Sequence, residues 1–172
     1  MIQLKPFKET PGLCGPASLK MVLDYYGIMV GEAELAKIVG ATPEKGTSID
    51  GLIKGARHFG FQAFFKYGST VSDLRYFVKR DIPPIVDWFS EDDGHYSVVV
   101  NVTDKDIILM DPALRKILVY ARKRKMPIEK FQRIWFDFPG SYLKSQSDLI
   151  LRLMLVATPF KEKFPIEGGE IV

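Results

Sequence analysis

The 172-residue chain has a single cysteine, Cys14, and two histidines, His58 and His95. One cysteine cannot form an intramolecular disulfide, which excludes the disulfide-stapled secreted class, and no cysteine-based metal site is expected from it. Charge of one sign is also short of excess: 24 Lys+Arg against 21 Asp+Glu leave a net +3, too little to imply nucleic acid or an anionic membrane from composition. Long apolar runs are missing as well. The longest, Leu149 to Phe160, is interrupted by Arg152 and is shorter than the ~20 residues a bilayer span requires. Met1 to Pro6 lacks the basic-then-apolar order of a secretory signal. The expectations are no membrane segment and a cytoplasmic location.

What is present is ordinary globular material. With 47% hydrophobic and 26% charged residues, a chain of this length is expected to bury roughly 70% of its unfolded surface around one core. Leu19, Val22, Leu23 and Tyr26 recur at helical spacing from Gly15 to Tyr26, with Pro16 in the first turn and Gly27 past the end. A buried helix therefore begins just after Cys14. Glu32 to Val39 reads as a second helix closed by Gly40; Ser48 caps a third through Ala56; Thr70 and Asp73 open a fourth through Val78. After Pro83-Pro84 the texture turns β-branched and aromatic, predicting strands at Ile85 to Phe89, Tyr96 to Val102, Ile107 to Met110 and Ile117 to Tyr120. Pro127 restarts a short helix through Phe131, and Leu149 to Val156 reads as a last strand. Helices first and antiparallel strands after make an α+β domain over residues 1–160. Residues 161–172, with Pro165 and Gly168-Gly169 and no periodicity, read as a flexible tail.

The chemistry starts from Cys14. A thiol at a helix N-terminus meets the positive end of the helix dipole and unpaired N–H groups, which favour the thiolate; a lone cysteine is otherwise a small buried hydrophobe. A base is needed to separate the two. His58 follows Arg57 near a helix end, where a surface role is expected. His95 instead opens a strand directly after the turn-forming Ser90 to Gly94, a place from which a side chain projects into a cleft. A catalytic imidazole also needs an orienting group. With a three-residue turn at Thr103-Asp104-Lys105, Val102 faces Asp106 and His95 faces Ala113, and Asp111 becomes a diagonal neighbour on the face of His95. A two-residue turn would put the two on opposite faces.

Leu13-Cys14-Gly15-Pro16-Ala17-Ser18-Leu19-Lys20-Met21 with Tyr25-Tyr26-Gly27, then Asp93-Gly94-His95-Tyr96-Ser97-Val98-Val99-Val100, then Met110-Asp111-Pro112 together resemble the bacteriocin-processing peptidase family C39 in its stand-alone C39-like form. The resemblance extends over Met1 to Ala113. It implies a papain-like fold, Cys14 as nucleophile, His95 as general base, Asp111 as its orienter, a peptide substrate cut after small residues such as a double glycine, and no cofactor or metal. The family also carries a glutamine shortly before the cysteine that donates to the oxyanion hole. Here Glu9 takes that place, and an ionised carboxylate has no proton to donate. Two rivals therefore stand beside hydrolysis: a catalytically impaired peptide-binding module, and acyl transfer or transamidation on the same triad.

Three other features carry less. Leu114 to Arg133 holds eight Lys/Arg against one acid, Glu129; without aromatic interleaving or a recognised module it reads as a solvated loop and not a nucleic-acid site. Asp92 and Asp93 could raise the pKa of His95 or form a plain acidic turn. Trp88, Phe89, Trp135, Phe136 and Phe138 could line a cleft, but aromatics in strands usually belong to the core.

Overall fold

The structure is a computed structural model that describes residues 1–91, 93–113 and 123–172. The first half contributes helices α1 (Cys14–Tyr25), α2 (Glu32–Val39), α3 (Ile49–His58) and α4 (Val71–Val78), with strand β1 (Gln62–Lys66) between the last two. The second half contributes β2 (Pro84–Ser90), β3 (Asp93–Val102), β4 (Asp106–Met110), β5 (Lys123–Pro127), helix α5 (Ile128–Ile134), and the strands β6 (Phe136–Asp137), β7 (Ile150–Leu151), β8 (Met154–Thr158) and β9 (Glu170–Ile171). The expected caps are in place. Ser48 Oγ accepts from Gly51 N–H, Thr70 and Asp73 close a reciprocal capping box, and Gly40 ends α2 with φ 73°, the left-handed conformation glycine adopts at no steric cost.

Among the described residues a seven-stranded sheet runs in the order β5-β4-β3-β2-β8-β1-β9, with each neighbouring pair antiparallel. Helices α1 and α4 lie against β3, and α2 and α3 pack on α1. The core between them is built from Leu19, Leu23, Leu52, Leu74, Phe77, Val98 and Leu155, each almost wholly removed from water. This is the α+β architecture expected, helices on an antiparallel sheet.

The structure departs from the sequence reading at several places. Gln62–Lys66 is a strand, and it pairs with β8 and β9 inside the sheet, so the strands do not all follow the helices. Five residues between two helices carry too little periodicity to announce themselves. Leu149 to Val156 is not one strand: Arg152, at φ 49°, turns the chain so that β7 pairs with β6 while β8 joins the main sheet. Lys123–Pro127, expected in a solvated loop, pairs with β4 as the edge strand, where lysine and arginine are the residues that discourage further pairing. The His95 strand begins earlier, at Asp93, and Ser90 lies opposite Asp93. Finally, residues 161–172, read as a flexible tail, lie against the sheet: Phe164 is buried against Phe64 and Phe77, and β9 pairs with β1. A segment held by one aromatic anchor and a two-residue pairing shows no pattern in sequence. The expected strand at residues 117–120 lies outside the described residues.

Candidate active site

Cys14 is the first residue of α1, and the helix has no side-chain cap at Leu13, so the sulfur sits beside the open N-terminal end of the helix. The loop before it is pinned at three points. Glu9 N–H donates to Pro112 O at 3.2 Å, Thr10 N–H and Oγ1 donate to the two carboxylate oxygens of Glu32 at 3.0 and 2.7 Å, and Leu13 N–H donates to Thr10 O at 2.9 Å. Gly12 makes the turn at φ 82°, where a Cβ would lie 2.3 Å from Pro43 O. No other residue fits there. Glu9 is thereby carried against the end of β4, next to the thiol.

The sheet supplies the partners. Val98 lies opposite Met110 and Val99 opposite Leu109, while nearer the turn Asn101 pairs with Ile108 and Val102 with Ile107. The turn is therefore one residue longer than expected. A bulge between Val99 and Asn101 absorbs the difference and returns the strands to the expected register at the site, with Asp111 diagonal to His95. His95 Nε2 and Asp111 Oδ1 are 2.8 Å apart, His95 is buried, and Asp111 is fully so. Asp111 also accepts from Ala113 N–H at 2.9 Å and from Arg124 Nε at 2.7 Å.

Arg124 is the residue the sequence reading missed. It lies opposite Leu109 on β5, which places it on the face of β4 that carries Asp111, and its guanidinium also lies over the Trp88 ring. Only the strand pairing of the basic run could have revealed it. Trp88 donates its indole N–H to Ser97 Oγ at 3.1 Å and meets the His95 ring edge-on at a centroid distance of 5.6 Å. This holds the imidazole plane. Trp135 is core, whereas Phe89 stacks on Phe136 and Phe138. His58 is exposed at the end of α3, as expected.

One ligand atom each from Glu9, Cys14 and His95 lie within 4.8 Å of one another. Those three residues could hold a divalent ion. Burial alone would lower the His95 pKa, but the hydrogen bond to Asp111 and the neighbouring Cys14 sulfur outweigh it and hold it up to about 10. Asp111 works against its own burial, kept below the usual carboxylate range by His95, Ala113 N–H and Arg124. Burial pushes Glu9 up, opposed by His95 and reinforced by Asp111 and Glu32, and its Oε2 is buried with no partner among the described residues. Cys14 opens onto a cleft of about 420 Å³ lined by Gly12, Thr47, Asp87, Gly94, Tyr96 and Asp137 among others.

A cysteine on a helix N-terminus, set against histidine and aspartate on an antiparallel sheet, belongs to the papain-like architecture. Within that architecture the peptidase C39 family model matches residues 10–138, and the chain belongs to this family. An uncharacterized protein of Methanothermobacter marburgensis is 41% identical over 106 residues, 62% of this chain and 69% of that protein. The peptidase domain of Streptococcus ComA, a bifunctional ABC transporter of a quorum-sensing pathway, superposes with a TM-score of 0.67 at 23% identity, covering 93% of this chain and 100% of that one. A double-glycine-motif protease from an AMS/PCAT transporter, solved with its leader peptide, gives 0.64 at 22% identity over 92% and 93%. Among the described residues no helix is long and apolar enough to cross a membrane.

Proposed function

We propose that the protein is a cysteine peptidase that cuts peptides after small residues such as paired glycines, with Cys14 as nucleophile, His95 as general acid and base, and Asp111 as the group that orients it. The observation that carries this reading is the convergence of Cys14, His95 and Asp111 beside an open cleft. Cys14 gives its thiol proton to His95, its Sγ bonds to the scissile carbonyl carbon, and the carbonyl oxygen becomes an oxyanion. The C–N bond then breaks as His95 gives its proton to the leaving amine. Water, deprotonated by His95, hydrolyses the thioester and frees Cys14. Asp111 holds the ring and stabilises its charged form, and Arg124 and Ala113 N–H keep Asp111 from rotating away. The leader-peptide complex of the double-glycine protease supports a peptide substrate in this cleft.

Glu9 favours a second reading, a peptide-binding module with little turnover, because a carboxylate beside the thiol opposes the oxyanion. Both readings are tested by incubating wild-type protein with peptides containing Gly-Gly and with iodoacetamide. Cleavage together with alkylation of Cys14 much faster than of a free thiol supports the peptidase; peptide binding without cleavage supports the module. Added amine acceptors separate hydrolysis from acyl transfer, since transfer yields an amine conjugate and hydrolysis an acid.

A further inference from the structure

The oxyanion reading leaves one feature without a purpose: a glutamate, and not an amide, stands beside the thiol with a buried oxygen that has no partner among the described residues. Glu9, Cys14 and His95 offer an oxygen, a sulfur and a nitrogen within 4.8 Å of one another. This mixed set suits a borderline-soft divalent ion such as Zn²⁺ or Co²⁺. A tetrahedral ion holds its donors roughly 3.3 to 3.8 Å apart, so side-chain rotations of about an ångström would close the site. The outer contacts are also those a metal-binding histidine uses. His95 Nε2 is engaged by Asp111, which leaves Nδ1 as the ligand atom once the ion displaces the proton the ring holds in the metal-free protein, and Asp111 is fixed by Arg124 and Ala113 N–H. A carboxylate behind the ring sets its tautomer and strengthens it as a donor. The charges balance too: Glu9 and a cysteine thiolate neutralise a divalent ion, and the Arg124 guanidinium neutralises Asp111. Cys14 opens onto the cleft, from which a water can reach a bound ion and complete its shell.

We propose that Glu9, Cys14 and His95 form a site for one divalent transition ion of the zinc class, and that the bound ion blocks peptide cleavage by occupying the thiol and the imidazole. The binding half stands on geometry and ligand chemistry alone, whereas the blocking half rests on the peptidase reading above. One cysteine is enough because the other two donors come from the loop before α1 and from β3.

The test titrates metal-free wild-type protein with Co²⁺, read by the near-ultraviolet thiolate-to-cobalt absorbance, and with Zn²⁺ against a chromophoric chelator. One equivalent should bind with a thiolate band. Glu9→Gln should weaken binding at least tenfold, since even loss of a partner that only supports a ligand costs roughly that much. Cys14→Ala should abolish the band, and His58→Ala, at the exposed histidine, should change neither. Thermal melts show whether each variant is folded, and the wild-type band decides without any variant. No band at micromolar protein, Zn²⁺ affinity within threefold of wild type in Glu9→Gln, or loss of binding in His58→Ala overturns the site. On the cleavage assay, Zn²⁺ should inhibit wild type at concentrations at least tenfold lower than it inhibits Glu9→Gln, and a rate that rises with Zn²⁺ overturns the blocking role. Metal binding without any cleavage counts against the peptidase reading and leaves the site standing. Cleavage without a cobalt band does the reverse.

Discussion

Cys14 and Glu9 sit on one short loop-to-helix junction, and their roles separate by what each substitution removes. Cys14→Ala deletes one sulfur at a half-buried position, so it should abolish alkylation and cleavage while leaving the melting temperature nearly unchanged. A structural cysteine would instead cost about 1 kcal/mol or more through the cavity left behind, and parallel loss of activity and melting temperature would count against the catalytic role. Glu9→Gln, assayed in metal-free buffer, replaces an acceptor by an N–H donor beside the developing oxyanion. It should raise kcat/KM at neutral pH by something approaching ~10²-fold. Because Glu9 titrates above its usual range, wild type gains the protonated, donating form as pH falls, so the ratio of variant to wild type should shrink from pH 8 toward pH 5. A flat ratio near one removes Glu9 from the oxyanion site. At this scale the grouping of Cys14, His95 and Asp111 in space was legible because residue type, order and local motif all act over short distances. Arg124 was not, since its meaning depends on a strand pairing inside a basic run that resembles ordinary solvated surface.

At the scale of elements, helices were easier to read than strands because their caps are local. Ser48, Thr70-Asp73 and Gly40 mark ends through bonds three or four residues long, whereas β1 is defined by partners around position 156 and position 171. The β3–β4 hairpin shows how register survives a misread turn: the turn is longer by one residue, and the bulge at Val99 to Asn101 restores the pairing that brings Asp111 to His95. Nothing in the local sequence announces that bulge. The cleft wall carries a further inter-element device, the Asp87 carboxyl on β2 and the Asp137 carboxyl on β6. Burial, then Asp137, raises the Asp87 pKa well above the ordinary aspartate range, and burial likewise raises Asp137, so the folded pair holds a proton that the unfolded chain releases above about pH 4. The sign follows: the folded state binds more protons in that window, and stability falls as pH rises through it, by up to about 1.4 kcal/mol per pH unit for one group. Asp87→Asn keeps a donor toward Asp137 and removes the titration. Its melting temperature relative to wild type should therefore climb from pH 4 to pH 8, and a difference independent of pH would show that the pair carries no such proton.

Across the whole molecule, the first and last segments of the described chain converge on one sheet. Ile2 N–H donates to Val100 O at 2.9 Å beside the bulge of β3, and the last strand closes one edge of the sheet by pairing with β1, with Ala63 and Val172 exchanging two backbone hydrogen bonds at 3.2 and 2.8 Å. Between them Phe164 completes an aromatic cluster, its ring 5.3 Å from that of Phe64 and 4.9 Å from that of Phe77. Phe77 lies on α4 and Phe64 on β1, so this one side chain joins a helix and a strand through long-range contacts that no local sequence pattern encodes. Edge-to-face pairs of this kind add to the area they bury. Phe164→Ala should accordingly cost about 3 kcal/mol, the usual scale for emptying a buried phenylalanine site. For a chain of this size that is a fall in melting temperature of roughly 6 to 12 °C. Deleting residues 161–172 removes the same ring and the β9 pairing and should lower it at least as far. Thermal unfolding of wild type, Phe164→Ala and the deletion decides the matter: three coincident transitions would mean that the segment contributes nothing to the fold and behaves as the free tail its composition suggests.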